Sequence, residues 1–183
     1  MNFITEDDMS TAEGTVSAFE RLVAADVSAI VGIVISTHAG QAFPIAQENH
    51  VVTSSSVSSA AGLSSIGDYI FRAALATDKL KPVGVNATHA TLGYERVAII
   101  YDDADVWSTS SNEHLTAALL ALGVEILAAE TFHTGDTDFT VQLTAIMELN
   151  PDALFISVLS AEVVNVLVQG REIGNEPQFI AAE

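Results

Sequence analysis

Short runs of consecutive apolar residues alternate with amphipathic stretches along the chain. The runs are NFIT (2–5), AIVGIVI (29–35), VVTS (51–54), YIFR (69–72), RVAIIY (96–101), VEILAAET (124–131), ALFISVL (153–159) and QFIAA (178–182). Several are apolar at successive positions, the pattern of strands covered on both faces of a parallel sheet. The stretches between them carry helix signals. Ser10 and Glu13 have capping-box spacing, and Val16, Phe19, Leu22 and Val23 then share a face. Ser110 and Glu113 form a second box ahead of Leu115, Leu119 and Leu122, with Gly123 as the stop. Asp136 or Thr137 is expected to open a helix that Asn150-Pro151 ends, and Ser160 another that closes near Gly174. Strands and helices alternating at this spacing predict an α/β fold of open parallel sheets.

Residues 74–93 interrupt the rhythm. They hold both lysines, Pro82, Gly84 and only a weak helical period, and are read as a crossing between two lobes, 1–76 and 77–183. The totals narrow the function. There are 24 acidic against 6 basic side chains, a formal charge of −18. Such a surface repels phosphate backbones and anionic membrane surfaces, so no nucleic-acid partner is expected. An acidic, Lys-poor surface suits a saline medium, where screening mutes self-repulsion. Without cysteine there are no disulfides, thiolate nucleophiles or Cys-based zinc sites. No run reaches the length of a membrane span. The opening MNFITEDDMS lacks the basic start and apolar core of a signal peptide.

In open α/β sheets, ligands bind beyond the carboxyl ends of the strands, where helix N-termini point inward. Those positions hold Ser36 and Thr37, then Ser54–Ser58, then Asp102, Asp103 and Asp105, then Ser157 and Ser160, and finally Glu183. The serine-rich stretch has seven serines in the thirteen residues from Thr53 to Ser65 and reads by composition as a linker. Its place at a strand-to-helix junction makes it instead a candidate wall of hydroxyls. The plainer alternatives are that the serines are helix caps, that DDAD is a solvated cap, and that Glu183 is a frayed terminus.

Familiar catalytic signatures are absent. GLSSIG has the wrong glycine spacing for a nucleophile elbow, and there is no GxGxxG, P-loop or HExxH. The five histidines have no metal-ligand spacing, and His38 reads as a capping or surface residue. An acidic pair after RVAIIY suggests a phosphoreceiver domain, but Ser157 stands where the phosphoacceptor Asp would be needed. No catalytic set, metal site or cofactor site is expected.

Taken in order, ITEDD, FERLVAADVSAIVGIVIS, the VVTSSSVS junction, YIFR, the YDDAD turn, GDTDFT, NPDALF and QFIAAE resemble the branched-chain amino-acid-binding proteins of ABC transporters. These are type I periplasmic binding proteins, and the resemblance covers essentially the whole chain. It implies a two-lobed fold of open parallel sheets whose first lobe is incomplete: 1–76 as a partial first lobe and 77–183 as a nearly complete second. It further implies a non-enzymatic, extracellular or periplasmic solute-binding component of an importer, with a transporter permease as partner. The ligand would be a branched-chain amino acid or similar small amphiphile held between two lobes. A sensing or regulatory module on the same fold is the alternative.

By the same resemblance, Ser36 with Thr37 beside it, and Ser56, Val57 and Ser58, match positions that grip the ligand carboxylate. Glu183 matches an acidic residue that holds the ammonium. The aromatic that covers the ligand in other members aligns with Val106, leaving Trp107 as the neighbouring candidate. The missing strand would leave an apolar surface exposed in the first lobe and favour self-association.

Overall fold

The structure, a computed structural model, describes residues 2–174 and 177–181. The chain folds as two compact units, Met1–Ala76 and Thr77–Glu183. The first unit contains α1 (Ala12–Ala24), β1 (Ala29–Gly32), α2 (Ser36–Glu48), β2 (Val52–Ser55) and β3 (Ile70–Arg72). Its strands lie in the order β1-β2-β3, all parallel. Ile30, Thr53 and Ile70 form one row across the sheet and are buried. They share a core with Phe19, Phe43 and the alanines 39, 42 and 46 of α2, whose small side chains let the helix lie close to the strands. The next row, Val31, Ser54 and Phe71, points the other way, as strand geometry requires. There Val31 is 78% exposed and Phe71 52%, so this parallel sheet is covered on one face.

The second unit contains α3 (Thr77–Leu92), β4 (Arg96–Asp102), α4 (Val106–Ala121), β5 (Glu125–Phe132), α5 (Thr140–Glu148), β6 (Ala153–Ser157), α6 (Ser160–Glu172) and β7 (Gln178–Ala181). The strand order is β5-β4-β6-β7, again all parallel. Here both faces are packed. Ala98, Ile100, Leu154 and Ile156 meet Phe139, Leu143 and Ile146 on one side. Val97, Ile99, Ala153 and Phe155 meet Val85, Leu115 and Leu119 on the other. That two-sided burial explains why β4 and β6 are apolar at successive positions.

Several expected elements need correction. NFIT is not a strand: residues 2–8 have no regular structure, and Phe3 is exposed. An extended segment becomes a strand only when another strand pairs with it, and the sheet order leaves β1 at an edge. Thr11, not Ser10, caps α1, accepting from Gly14 N at 3.0 Å, while Ser10 adopts a left-handed φ of 52°. α4 begins four residues before the Ser110 box because Asp105 caps it, Oδ2 accepting from Ser108 N at 2.8 Å. α5 begins at Thr140 rather than near Asp136, whose carboxylate accepts from His133 N in the preceding turn. Residues 74–93 are mostly helix: α3 runs sixteen residues and contains Pro82.

The amino ends of β4 and β6 are joined by Asp152, whose Oδ2 accepts from Glu95 N at 2.9 Å and Arg96 N at 2.8 Å. The Glu95 N–H, then that of Arg96, hold this carboxyl below the ordinary Asp range. A depressed folded value means the carboxylate stabilises the fold above pH ~4 and that this stability is lost as pH falls through the folded value. Because Asp152 is exposed, screening limits its contribution to about 1 kcal/mol. Asp152→Ala is therefore expected to cost about that much at pH 7 and markedly less at pH 3, measured by urea unfolding at both pH values.

Candidate functional site

The carboxyl ends of β1 and β2 are tied together by serine hydroxyls. Ser55 ends β2 on the covered face and is fully buried. Its Oγ donates to the carbonyl of Ile33 at 2.9 Å and accepts from Ser58 N at 2.9 Å. The Ser58 hydroxyl donates to Val34 O at 3.0 Å, and Ser36 Oγ accepts from Ala60 N at 3.2 Å. Arg72, at the end of β3, donates from Nη1 to the Ala60 carbonyl at 2.9 Å. The serine-rich stretch is thus bonded into the strand ends.

α2 starts directly at this junction. Ile35 occupies its capping position, no side chain caps it, and its first turn has no acidic residue. The first N–H to bond inside the helix is that of Ala39, to Ile35 O at 3.0 Å. Helix geometry turns the N–H groups of Ser36 and His38 out of the end of α2. Ser36 Oγ accepts from Ala60 and has no acceptor for its own proton among the described residues. The junction therefore gathers donors at the positive end of a helix dipole, which suits a carboxylate.

The carboxyl ends of the second sheet form a different network. Ser108 Oγ donates to Ser157 O and accepts from Asp102 N. Ser157 Oγ donates to Ser111 Oγ at 2.6 Å. Asp102 accepts from Ala104 N through Oδ1 and from the Thr134 hydroxyl through Oδ2. Asp102, Asp103 and His133 place one ligand atom each within 4.8 Å of one another. Their atoms already serve the protein, since His133 Nδ1 pairs with Asp103 Oδ1 at 2.9 Å and both Asp102 oxygens are bonded.

Of the residues singled out from sequence, Ser36 and Ser58 are buried in the first junction, Thr37 is half-buried in the first turn of α2, and Ser56 and Val57 are exposed at the end of β2. The Ser58 donors are both engaged internally, the N–H with Ser55 and the hydroxyl with Val34. Trp107 is buried in α4 with the Lys81 ammonium 4.7 Å from its ring centroid, a cation–π contact. Val106 beside it is 40% exposed. Glu183 lies outside the described residues. Ser55, named only as part of the Ser54–Ser58 run, is placed on the covered face by the period-2 alternation of β2, and Arg72, which ends β3 and was not singled out, also bears on the junction.

Against known proteins, the profile of a family described as periplasmic binding protein matches residues 1–182. No curated protein matches the chain. Among solved structures, the leucine binding protein LivK of Thermotoga maritima is similar, with a TM-score of 0.94 and 25% identity over 98% of this chain and 51% of that one. LivJ of Streptococcus pneumoniae, in complex with isoleucine, has a TM-score of 0.90 at 24% identity, covering 98% and 51%. An ABC transporter solute binding protein of Rhodopseudomonas palustris, in complex with 3,4-dihydroxybenzoic acid, has a TM-score of 0.86 at 22% identity, covering 98% and 50%. The chain spans about half the length of these relatives.

Proposed function

The chain belongs to the periplasmic binding protein family, and we propose on that basis that it contributes the carboxylate-binding wall of a solute-binding component of an ABC importer. The single observation carrying this reading is the uncapped start of α2 beside the Ser36 hydroxyl. A carboxylate there meets N–H and O–H donors at the positive end of the helix and no like charge in its first turn. The ligands named for the similar proteins, leucine, isoleucine and dihydroxybenzoic acid, share a carboxylate next to an apolar group. A branched-chain amino acid fits that description, with Ser36, Thr37 and Ser56 nearest the carboxylate. Val57 offers an exposed apolar side chain beside them. The Ser58 hydroxyl joins by turning from the Val34 carbonyl to the charged acceptor, the stronger of the two bonds.

In this reading the protein works outside the cytoplasmic membrane, handing solute to a permease, and carries out no chemical step. Among the described residues no helix is long and apolar enough to cross a membrane.

Ser36→Ala tests the wall. Removing a donor to a charged group costs about 1.5–3 kcal/mol, so leucine binding should weaken by roughly tenfold or more. Isothermal calorimetry on both proteins measures this. Equal affinities would remove Ser36 from the site.

A further inference from the structure

We propose that Ser55 is a positioning residue whose hydroxyl holds Ile33 in a left-handed conformation and thereby aims the start of α2 at the ligand. The proposal rests on the carboxylate reading of this junction and explains how the junction is shaped.

Ile33 has φ 59°. A β-branched side chain is a genuine outlier there, because its Cβ branches crowd the backbone. Such a conformation persists only where surrounding contacts over-determine it. The contacts are identifiable. The Ile33 carbonyl accepts the Ser55 hydroxyl at 2.9 Å, and the Ser58 hydroxyl, bonded to the next carbonyl, that of Val34, at 3.0 Å, reaches the Ile33 carbonyl only at 3.5 Å. The Ile33 side chain packs against the core formed by Phe19, Ile30 and Phe43. The left-handed turn thus lets an isoleucine on the strand end reach the helix-covered core.

The turn also sets where α2 begins. β1 ends at Gly32 and α2 starts at Ser36, so only three residues fix the direction of the helix. Ile33 is the one among them with positive φ. The same Ser55 oxygen accepts from Ser58 N, which holds the VVTSSSVS loop against the turn. One buried hydroxyl therefore fixes both sides of the candidate carboxylate site. Ser56 lies on the exposed side of the same loop and contributes nothing to this tie.

The distinguishing experiment compares Ser55→Ala, Ile33→Gly and the double variant in the 183-residue chain, by backbone NMR with leucine as probe. Glycine adopts positive φ without steric cost, so it needs no hydroxyl to hold it. Ser55→Ala is expected to shift the Ile33 HN–Hα coupling out of the left-handed range. It should also speed Ser58 amide exchange about tenfold and abolish leucine-induced shifts at Ser36, His38 and Ser56. In the Ile33→Gly background the same substitution is expected to leave the leucine-induced shifts largely intact, a rescue that a merely structural serine would not show.

Ser58→Ala removes only the longer, 3.5 Å contact to the Ile33 carbonyl and keeps the 2.9 Å bond from Ser55, so the Ile33 coupling should stay in the left-handed range. If Ser55→Ala fails to fold, Ile33→Gly still decides the matter: retained leucine response with an unchanged α2 start supports the proposal. Loss of that response in a folded Ile33→Gly protein overturns it. Unchanged coupling at Ile33 in a folded Ser55→Ala protein also overturns it. The coupling needs no ligand, so a wild-type chain silent to leucine would refute the carboxylate reading while the positioning role of Ser55 is still decided.

Discussion

Thr37→Asp is expected to remove detectable leucine binding while leaving the fold as stable as before or more so. Thr37 is the second residue of α2, whose capping position is occupied by Ile35 and whose first turn carries no acid. A carboxylate placed there interacts favourably with the positive end of the helix, by about 0.3–1 kcal/mol, which offsets the packing of the half-buried threonine. The same carboxylate occupies the neighbourhood proposed for the ligand's own. Juxtaposed like charges cost several kcal/mol, so affinity should fall by at least about a hundredfold. Calorimetry with leucine and urea unfolding on the same preparation give both quantities. A variant that binds leucine undiminished would show that α2 does not face the carboxylate.

Phe139→Ala is expected to remove a large part of the stability of the second unit. Phe139 is fully buried and meets Phe132 edge-to-face, ring centroids 4.9 Å apart at 89°. Truncating a buried phenylalanine costs about 3–5 kcal/mol, with the aromatic pair part of that sum. Domains are stable by only about 5–15 kcal/mol, so the margin left is small. Trp107 is the only tryptophan in the chain and lies in this unit, so its fluorescence follows this unfolding specifically. Val141, in the first turn of the helix that Phe139 precedes, is 81% exposed, and Val141→Ala should change stability by less than about 0.5 kcal/mol. Comparable losses from both substitutions would mean that the core assigned to α5 is misplaced.

The parallel strands could be read from the chain because burial on both faces leaves successive apolar residues, as in β4 and β6. The same signal misleads for the first sheet. β1 is also apolar at successive positions, yet Val31 points away from the helices and is exposed. Periodicity reports where a strand can be covered, and only tertiary structure shows what covers it. NFIT failed as a strand for a related reason, since pairing is a property of two segments. Helix starts slipped by one to five residues because several side chains could cap and local sequence does not rank them. Thr11 and Asp105 won over Ser10 and Ser110 by placing an oxygen against a first-turn N–H, that of Gly14 and that of Ser108.

For the candidate site, position at consecutive strand ends was enough to group Ser36 with the serine run. It could not tell an inward hydroxyl from an outward one in a uniform stretch. Ser55 and Ser58 are buried and Ser56 is exposed: Ser55 follows the alternation of β2, and Ser58, beyond the strand, is held by its hydrogen bonds to Ser55 and Val34. Nor could sequence show that Ile33 would adopt positive φ, because the residue type argues against it.

The function proposed for this protein depends on a carboxylate binding at the start of α2 and the adjoining serines. A nitrogen-15 NMR titration of the chain with leucine, run in parallel with leucinol, isolates that interaction, because leucinol keeps the side chain and ammonium but has a hydroxyl in place of the carboxylate. Leucine is expected to move the amide signals of Ser36, Thr37, His38 and Ser56, and leucinol at the same concentration to leave them in place. Equal responses to the two compounds, or leucine-induced shifts confined to other residues, would refute carboxylate binding at this junction.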